Sequence, residues 1–205
     1  SEINRATREA MNLSRQAASL LDLVKQLDTL RAKRETTAHV AAGRPHRKSK
    51  QVTALHSALK PSTAVPVPGR SLADKPPPGY SGRPFDTRKG VVPLPAVGRV
   101  ATQFGQPIAK GRTQKGLTLE TVKSAQVIAP YEGRIAFSGP FRAYGELLII
   151  EHNGGYHTLL AGMAHIDVAV GQWVLTGEPV GTMGNEVTRK PALYWEIRRK
   201  GQPIN

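Results

Sequence analysis

The chain has 205 residues, 39% of them hydrophobic and 5% aromatic, with no cysteine and a formal net charge of +14. That length holds one or two domains of ordinary size. The missing cysteines exclude a disulfide scaffold, a thiolate zinc site and a thiol nucleophile, and no run of about 18 apolar residues encodes a membrane-spanning helix in this stretch.

The charge is uneven. Residues 1–90 carry 17 Lys+Arg against 7 Asp+Glu, which is +10, and residues 91–205 carry 12 against 8, which is +4. Basic segments of this kind attract wall polymers and phospholipid surfaces as readily as DNA, so no specific nucleic acid follows from them.

Residues 2–35 read as one helix. Ile3, Ala6, Ala10, Leu13, Ala17, Leu20, Val24 and Leu27 recur at alternating spacings of three and four, a heptad seam that fails at Arg31 and Arg34. An isolated amphipathic helix is the plain alternative. The pattern is already in register at Ile3, so residues 1–38 are expected to be the C-terminal end of a longer coiled coil, with more chain before Ser1.

Residues 39–90 are expected to form a basic loop, a short helix and a linker. Over 50–60, Val52, Leu55, Ala58 and Leu59 make one helical face that Pro61 ends. A helix that short needs a surface to lie on. Residues 61–90 hold Pro61, Pro66, Pro68, Pro76, Pro77, Pro78 and Pro84 with little periodicity, which predicts an extended linker.

From Val91 the texture changes. Short runs rich in Val, Ile, Leu and Thr (GRVATQFG, AQVIAP, GRIAFSGP, ELLIIEH, YHTLLAGM, QWVLTGEPVG, LYWEIR) alternate with Gly- and Pro-containing turns. They predict a mainly β domain over 91–205, a barrel-like or sandwich sheet large enough to bury a core.

Ordered motifs run through it. A G-x-V-x-x-x-F-G opening spans Gly98 to Gly105, an A-P-x-x-G-x-V-like strand spans Ala129 to Ile135, and Y-G-x-x-x-x-I-x-H spans Tyr144 to His152. A V-x-x-G-x-x-V-x-x-G-x-P-V-G hairpin from Val168 to Gly181 and a final E-I-R-x-x-G-x-P-I strand complete the set. In this order they resemble the LytM, or lysostaphin-type, zinc endopeptidases that cleave peptide cross-bridges in bacterial cell walls.

The resemblance implies a zinc held by a His, an Asp four residues later and the second His of an H-x-H motif. Two further histidines would handle the water and the developing charge. Here the H-x-G-I-D segment reads Gln114, Lys115, Gly116, Leu117, Thr118; H-x-H reads Ala192, Leu193, Tyr194; and Y-x-H reads Leu160, Ala161, Gly162. The five former metal or catalytic positions are thus Gln114, Thr118, Gly162, Ala192 and Tyr194, so no catalytic residue, metal or cofactor is expected. His152, His157 and His165 form no H-x-H or H-x3-D pair and read as surface or loop histidines.

The arrangement of coiled-coil end, loop, short helix, Pro-rich linker and zinc-less β domain resembles the EnvC-type degenerate LytM proteins, with an ending most similar to α-proteobacterial members. That resemblance implies a periplasmic, Gram-negative, non-catalytic activator of an N-acetylmuramoyl-L-alanine amidase in cell division and cell separation. It implies an FtsEX-type membrane complex as the partner of the coiled coil.

A partner groove lined by Gln114, Lys115, Leu117, Phe141, Arg142, Tyr144, Tyr194 and Arg198 would suit an amphipathic helix with acidic flanks. Leu117 has a core alternative. Phe141 and Tyr144 have a hairpin-staple alternative, and Lys115 and Arg198 have one as solvated charges. The 50–60 helix, through Val52, Leu55 and Leu59, is an autoinhibitory plug for that groove in this reading. An active zinc endopeptidase with atypical ligands and a simple peptidoglycan-binding module are the competing readings.

Overall fold

A computed structural model describes residues 20, 22–30, 33, 75–85, 90–108, 112–186 and 190–204 of the chain. Most of the predicted coiled coil and the whole 50–60 helix, with Val52, Leu55 and Leu59, lie outside the described residues.

Among the described residues, Val, Ile and Leu runs punctuated by glycine turns form thirteen strands: β1 Gly98–Thr102, β2 Pro107–Ile108, β3 Arg112–Thr113, β4 Leu117–Thr121, β5 Gln126–Ile128, β6 Gly133–Pro140, β7 Glu146–His152, β8 Tyr156–Met163, β9 His165–Ile166, β10 Trp173–Val174, β11 Pro179–Thr182, β12 Ala192–Arg199 and β13 Gln202–Ile204. One antiparallel sheet runs β1-β4-β12-β8-β7-β6-β10, with β13 paired to β12; a smaller sheet runs β5-β11-β9, and β2 pairs with β3. The domain is mainly β, as its sequence predicts.

Successive side chains on a strand alternate between faces, and the large sheet is covered on both. Leu148, Ile150, Leu160, Leu193 and Trp195 point inward and pack with Val127, Val180 and Met183 of the small-sheet layer. Leu147, Ile149, Leu159 and Ala161 point outward into a second cluster. This two-sided burial is why ELLIIEH is apolar without alternation. A register shift between Ile135 and Phe137 lets one strand serve both faces: Ile135 joins the inner cluster and Phe137 the outer one.

A helix over 22–30 lies on the outer cluster. Leu20, Leu23, Val24 and Leu27 are all buried there beside Phe137, Phe141, Leu147, Ile149, Leu159 and Ala161. Their spacing of i, i+3, i+4 and i+7 is that of a helix packing on a globular surface. The heptad seam and this stripe share Leu20, Val24 and Leu27; Leu23 is the addition.

The end of the Pro-rich segment is part of the domain. Phe85 is 2% exposed, stacks on His152 at 5.1 Å between ring centroids, and packs with Tyr131 and Tyr156. The Glu132 carboxylate accepts hydrogen bonds from the Ser81 N–H and hydroxyl and from the Gly82 N–H. Asn153 Nδ2 donates to Gly82 O, and the Tyr131 hydroxyl to Arg83 O.

His152 and His157 are buried, at 2% and 1% exposure, contrary to the surface reading of their sequence positions; His165 is exposed. Each buried ring has a local reason. His152 Nδ1 lies 2.7 Å from the Glu132 carbonyl and Nε2 lies 2.8 Å from Thr158 Oγ1. The carbonyl accepts only, so Nδ1 carries the proton. Burial pushes this imidazole down to about 3. His157 sits on the outer face, where its Nε2 is 3.5 Å from the Asp28 carboxylate of the helix.

Candidate functional site

The five positions singled out from the sequence converge on the outer face where β4, β12 and β8 meet. Tyr194 of β12 pairs in register with Thr118 of β4 on one side and Ala161 of β8 on the other. Gln114, just before β4, donates from Nε2 to Thr118 Oγ1 at 3.0 Å and lies 3.2 Å from Thr102 Oγ1. Ala192 pairs with Glu120. Gly162 sits at φ +94 in the register shift that separates Glu146 from Leu147, and an added Cβ would lie 2.5 Å from Ala192 O.

Below them a buried polar chain runs along one side of β12, because residues 194, 196 and 198 share a face. The Tyr194 hydroxyl donates to Glu196 Oε2 at 2.6 Å, and Arg198 Nε donates to Glu196 Oε1 at 2.6 Å. Arg198 Nη1 reaches Gly201 O at 3.3 Å. Burial, followed by the hydrogen bond to Glu196 and its charge, pushes the Tyr194 phenol far above its ordinary value. Burial, followed by the Glu196 charge, raises Tyr144.

Four aromatic rings connect this polar chain to the covered apolar strip. Phe137–Phe141, Phe141–Tyr144 and Tyr144–Tyr194 stand 6.0, 6.2 and 6.0 Å apart between centroids. Toward β1 the face opens into a cleft of about 500 Å³ lined by Arg99, Glu120, Lys123 and Lys190. Arg99 bonds Glu120 at 2.8 Å and holds its carboxyl below the usual range. The outer face is therefore greasy and helix-covered at one end, aromatic in the middle, and polar and open at the other.

Residues 112–205 match the sequence profile of peptidase family M23. The likeness covers the β domain from β3 to the end of β13. Murein hydrolase activator NlpD of Escherichia coli is 36% identical over 115 residues, covering 54% of this chain and 29% of the relative. Murein hydrolase activator EnvC of the same species is 29% identical over 112 residues, covering 54% of this chain and 27% of the relative. The chain thus spans less than a third of the length of either activator. The catalytic domain of the antimicrobial peptidase lysostaphin from Staphylococcus simulans superposes with a TM-score of 0.47 at 18% identity, over 53% of this chain and 88% of that one.

The residues at the five positions do not fit a zinc ion. Zinc takes thiolate, imidazole or carboxylate donors. Gln114 is neutral and spends its amide hydrogens on Thr118 and Thr102, and Thr118 accepts one of them. Tyr194 is held protonated, and its hydroxyl donates to Glu196. Ala192 carries no donor, and Gly162 has no space for a side chain. Gln114 bonds Thr118 and Thr102, and Tyr194 bonds Glu196, instead of these groups presenting lone pairs to one point.

The expected groove residues divide. Gln114, Tyr144 and Tyr194 are half-buried on the outer face, and Lys115 and Arg142 are exposed. Leu117 does not belong with them: it points to the opposite face from Thr118 and packs on the inner core. Phe141 is buried among the residues that contact the helix, not on an open wall. Arg198 is no rim charge, being 4% exposed and locked to Glu196.

Two features escaped the sequence reading. The docking of the helix over 22–30 had a signal in Leu23, which widens the seam into a sheet-packing stripe. The burial of Arg198 had none, since alternation on β12 gives a face but not the Glu196 partner that makes burial tolerable.

Proposed function

We propose that this protein is a non-catalytic activator of a peptidoglycan N-acetylmuramoyl-L-alanine amidase, acting in daughter-cell separation in the periplasm of a Gram-negative bacterium. The observation that carries this reading is that Gln114 is bonded to Thr118 and Tyr194 to Glu196, beside a Gly162 that admits no side chain. A zinc-peptidase scaffold with that set has a surface for binding and no group for activating water.

The amidase would engage the aromatic middle of the outer face, around Tyr144 and Tyr194, where an apolar floor borders exposed cations at Lys115 and Arg142. The names of the NlpD and EnvC relatives support the assignment. An FtsEX-type membrane complex as the partner of the arm, and a plug formed by Val52, Leu55 and Leu59, belong to the same proposal.

The test mixes the 205-residue chain with a purified amidase and dye-labelled sacculi. Dye release should rise with the chain present and stay at background for the chain alone, with or without added zinc. Release by the chain alone in zinc would sink the proposal in favour of an endopeptidase. Deleting residues 50–60 should raise activation further; unchanged activation removes the plug.

A further inference from the structure

The large sheet ends on one side at β1, which pairs with β4 and with no other strand among the described residues. Gly98, Arg99, Val100 and Ala101 are exposed. Successive strand residues turn their backbone groups to opposite sides. The Thr121 N–H donates to Pro191 O on the β12 side, so Glu120 turns its N–H and C=O toward β1, where it meets Arg99 in register. Arg99 is thus bonded inward, and the N–H and C=O of Gly98 and Val100 face the open side. Among the described residues no main-chain group meets them there.

Side chains along this edge alternate as well. Arg99 shares the outer face with Glu120 and Ala192 in register, and Val100 shares the inner face with Leu119 and Leu193. Val100 is 41% exposed, and Val97 before β1 and Val122 after β4, at the same corner, are 77% and 61% exposed. The cleft of about 500 Å³ at this corner holds three cations, Arg99, Lys123 and Lys190, against one carboxylate, Glu120, a balance of +2. Arg99 Nη2 at 2.7 Å and Lys190 Nζ at 3.7 Å share that carboxylate.

We propose that the β1 edge is a docking site for an extended acidic segment of another protein. The segment adds to the large sheet as a further strand, with carboxylates on the Arg99 face and apolar side chains on the Val100 face. Backbone bonds from Gly98 and Val100 supply register, and the alternating side chains supply choice. The register shift between Val100 and Thr102 ends the open run, so the added strand is short. Charge selects the occupant. Cations along an edge repel a second copy of that edge. The chain's own residues 36–73 are excluded on the same ground, with six Lys+Arg and no Asp or Glu. This surface lies at the other end of the outer face from Tyr144, and it stands whether or not the aromatic strip binds an amidase.

The probe is fluorescein-labelled Glu-Val-Glu-Val-Glu-Val with blocked ends, titrated with the 205-residue chain and read by anisotropy; Lys-Val-Lys-Val-Lys-Val is the control. The acidic peptide should bind, and more weakly as salt is raised, while the lysine peptide stays free. Lys123→Glu together with Lys190→Glu should weaken binding at least about tenfold. Val100→Pro removes one outward N–H and no bond to β4, and it should abolish binding with an unchanged β-type circular dichroism spectrum. On the unsubstituted chain, independent of how any variant folds, saturating acidic peptide should slow hydrogen exchange at the Val100 amide at least about tenfold. No binding of the acidic peptide, equal binding of the lysine peptide, or Val100 exchange that ignores the peptide would each overturn the inference. So would capture of the chain by phosphatidylglycerol vesicles without peptide binding, which would assign the edge to an anionic lipid surface. A chain that passes this test and activates no amidase would refute the proposed function and leave the β1 site standing.

Discussion

The two faces of the large sheet are built from the same strands and reach burial by different means. The inner face is mainly aliphatic and closed by a second sheet reached through short turns, so its cover is part of the fold. The outer face is closed at one end by a helix from a distant part of the chain, and elsewhere it carries Tyr194, Glu196 and Arg198 bonded to one another. The difference separates a core from a site: the inner face has nothing left to bind, whereas the outer face is satisfied by contacts that another helix or side chain can replace.

The strongest way to break that contrast is at Arg198. Replacing Arg198 with Leu leaves Glu196 buried without its cation, and unfolding in denaturant should show a loss of about 4 kcal/mol. Replacing Glu196 with Leu as well should recover most of it, which would mark the pair as a device of the site and not a prop of the fold. On the inner face, Leu160→Ala removes a fully buried side chain and should cost about 3 kcal/mol, with no compensating second substitution among polar residues.

Acid sharpens the comparison next. Burial holds His152 down to about 3 in the folded chain, against 6.5 for the free side chain. The unfolded chain therefore binds the extra proton first. The contribution of the neutral ring is fully present above pH 6.5 and drains away as pH falls toward 3, amounting to about 2 kcal/mol lost by pH 5. A His152→Gln variant should show a flatter stability profile between pH 7 and 5 in thermal melts. Smallest of all, Tyr194→Phe removes one hydroxyl from Glu196 and should cost about 1 kcal/mol of stability. It should nevertheless weaken amidase activation measurably, because Tyr194 stands at the centre of the open strip.

Much of this was legible in the sequence, and the reasons divide by range. Strands such as ELLIIEH and YHTLLAGM declare themselves by β-branched and aliphatic runs between glycine turns, because their signal is local. The positions Gln114, Thr118, Gly162, Ala192 and Tyr194 could be named because motif order fixes them, and the sheet brings them together through the β4–β12–β8 register. Range is what hid the rest. The spacing of Leu20, Val24 and Leu27 is common to coiled coils and to helices lying on sheets, and only Leu23 beside them widens the stripe toward a sheet. Phe85 follows a proline-rich stretch without periodicity, and its partners Tyr131, His152 and Tyr156 lie 46 to 71 residues downstream. Leu117 was offered for the groove with the core as its alternative, and it packs on the core because a one-residue step on a strand changes the face.

The clasp at residues 81–85 has a mechanical meaning. Beyond the docked helix, tension passing along residues 75–80 meets Tyr80 against Trp173, then Ser81 and Gly82 on the Glu132 carboxylate, then the Phe85 ring between His152, Tyr131 and Tyr156. Those contacts stand between the load and the start of β1 at Gly98. A pull must extract an anchored ring before it can peel a strand, so the clasp works as strain relief at the point where the tether enters the fold.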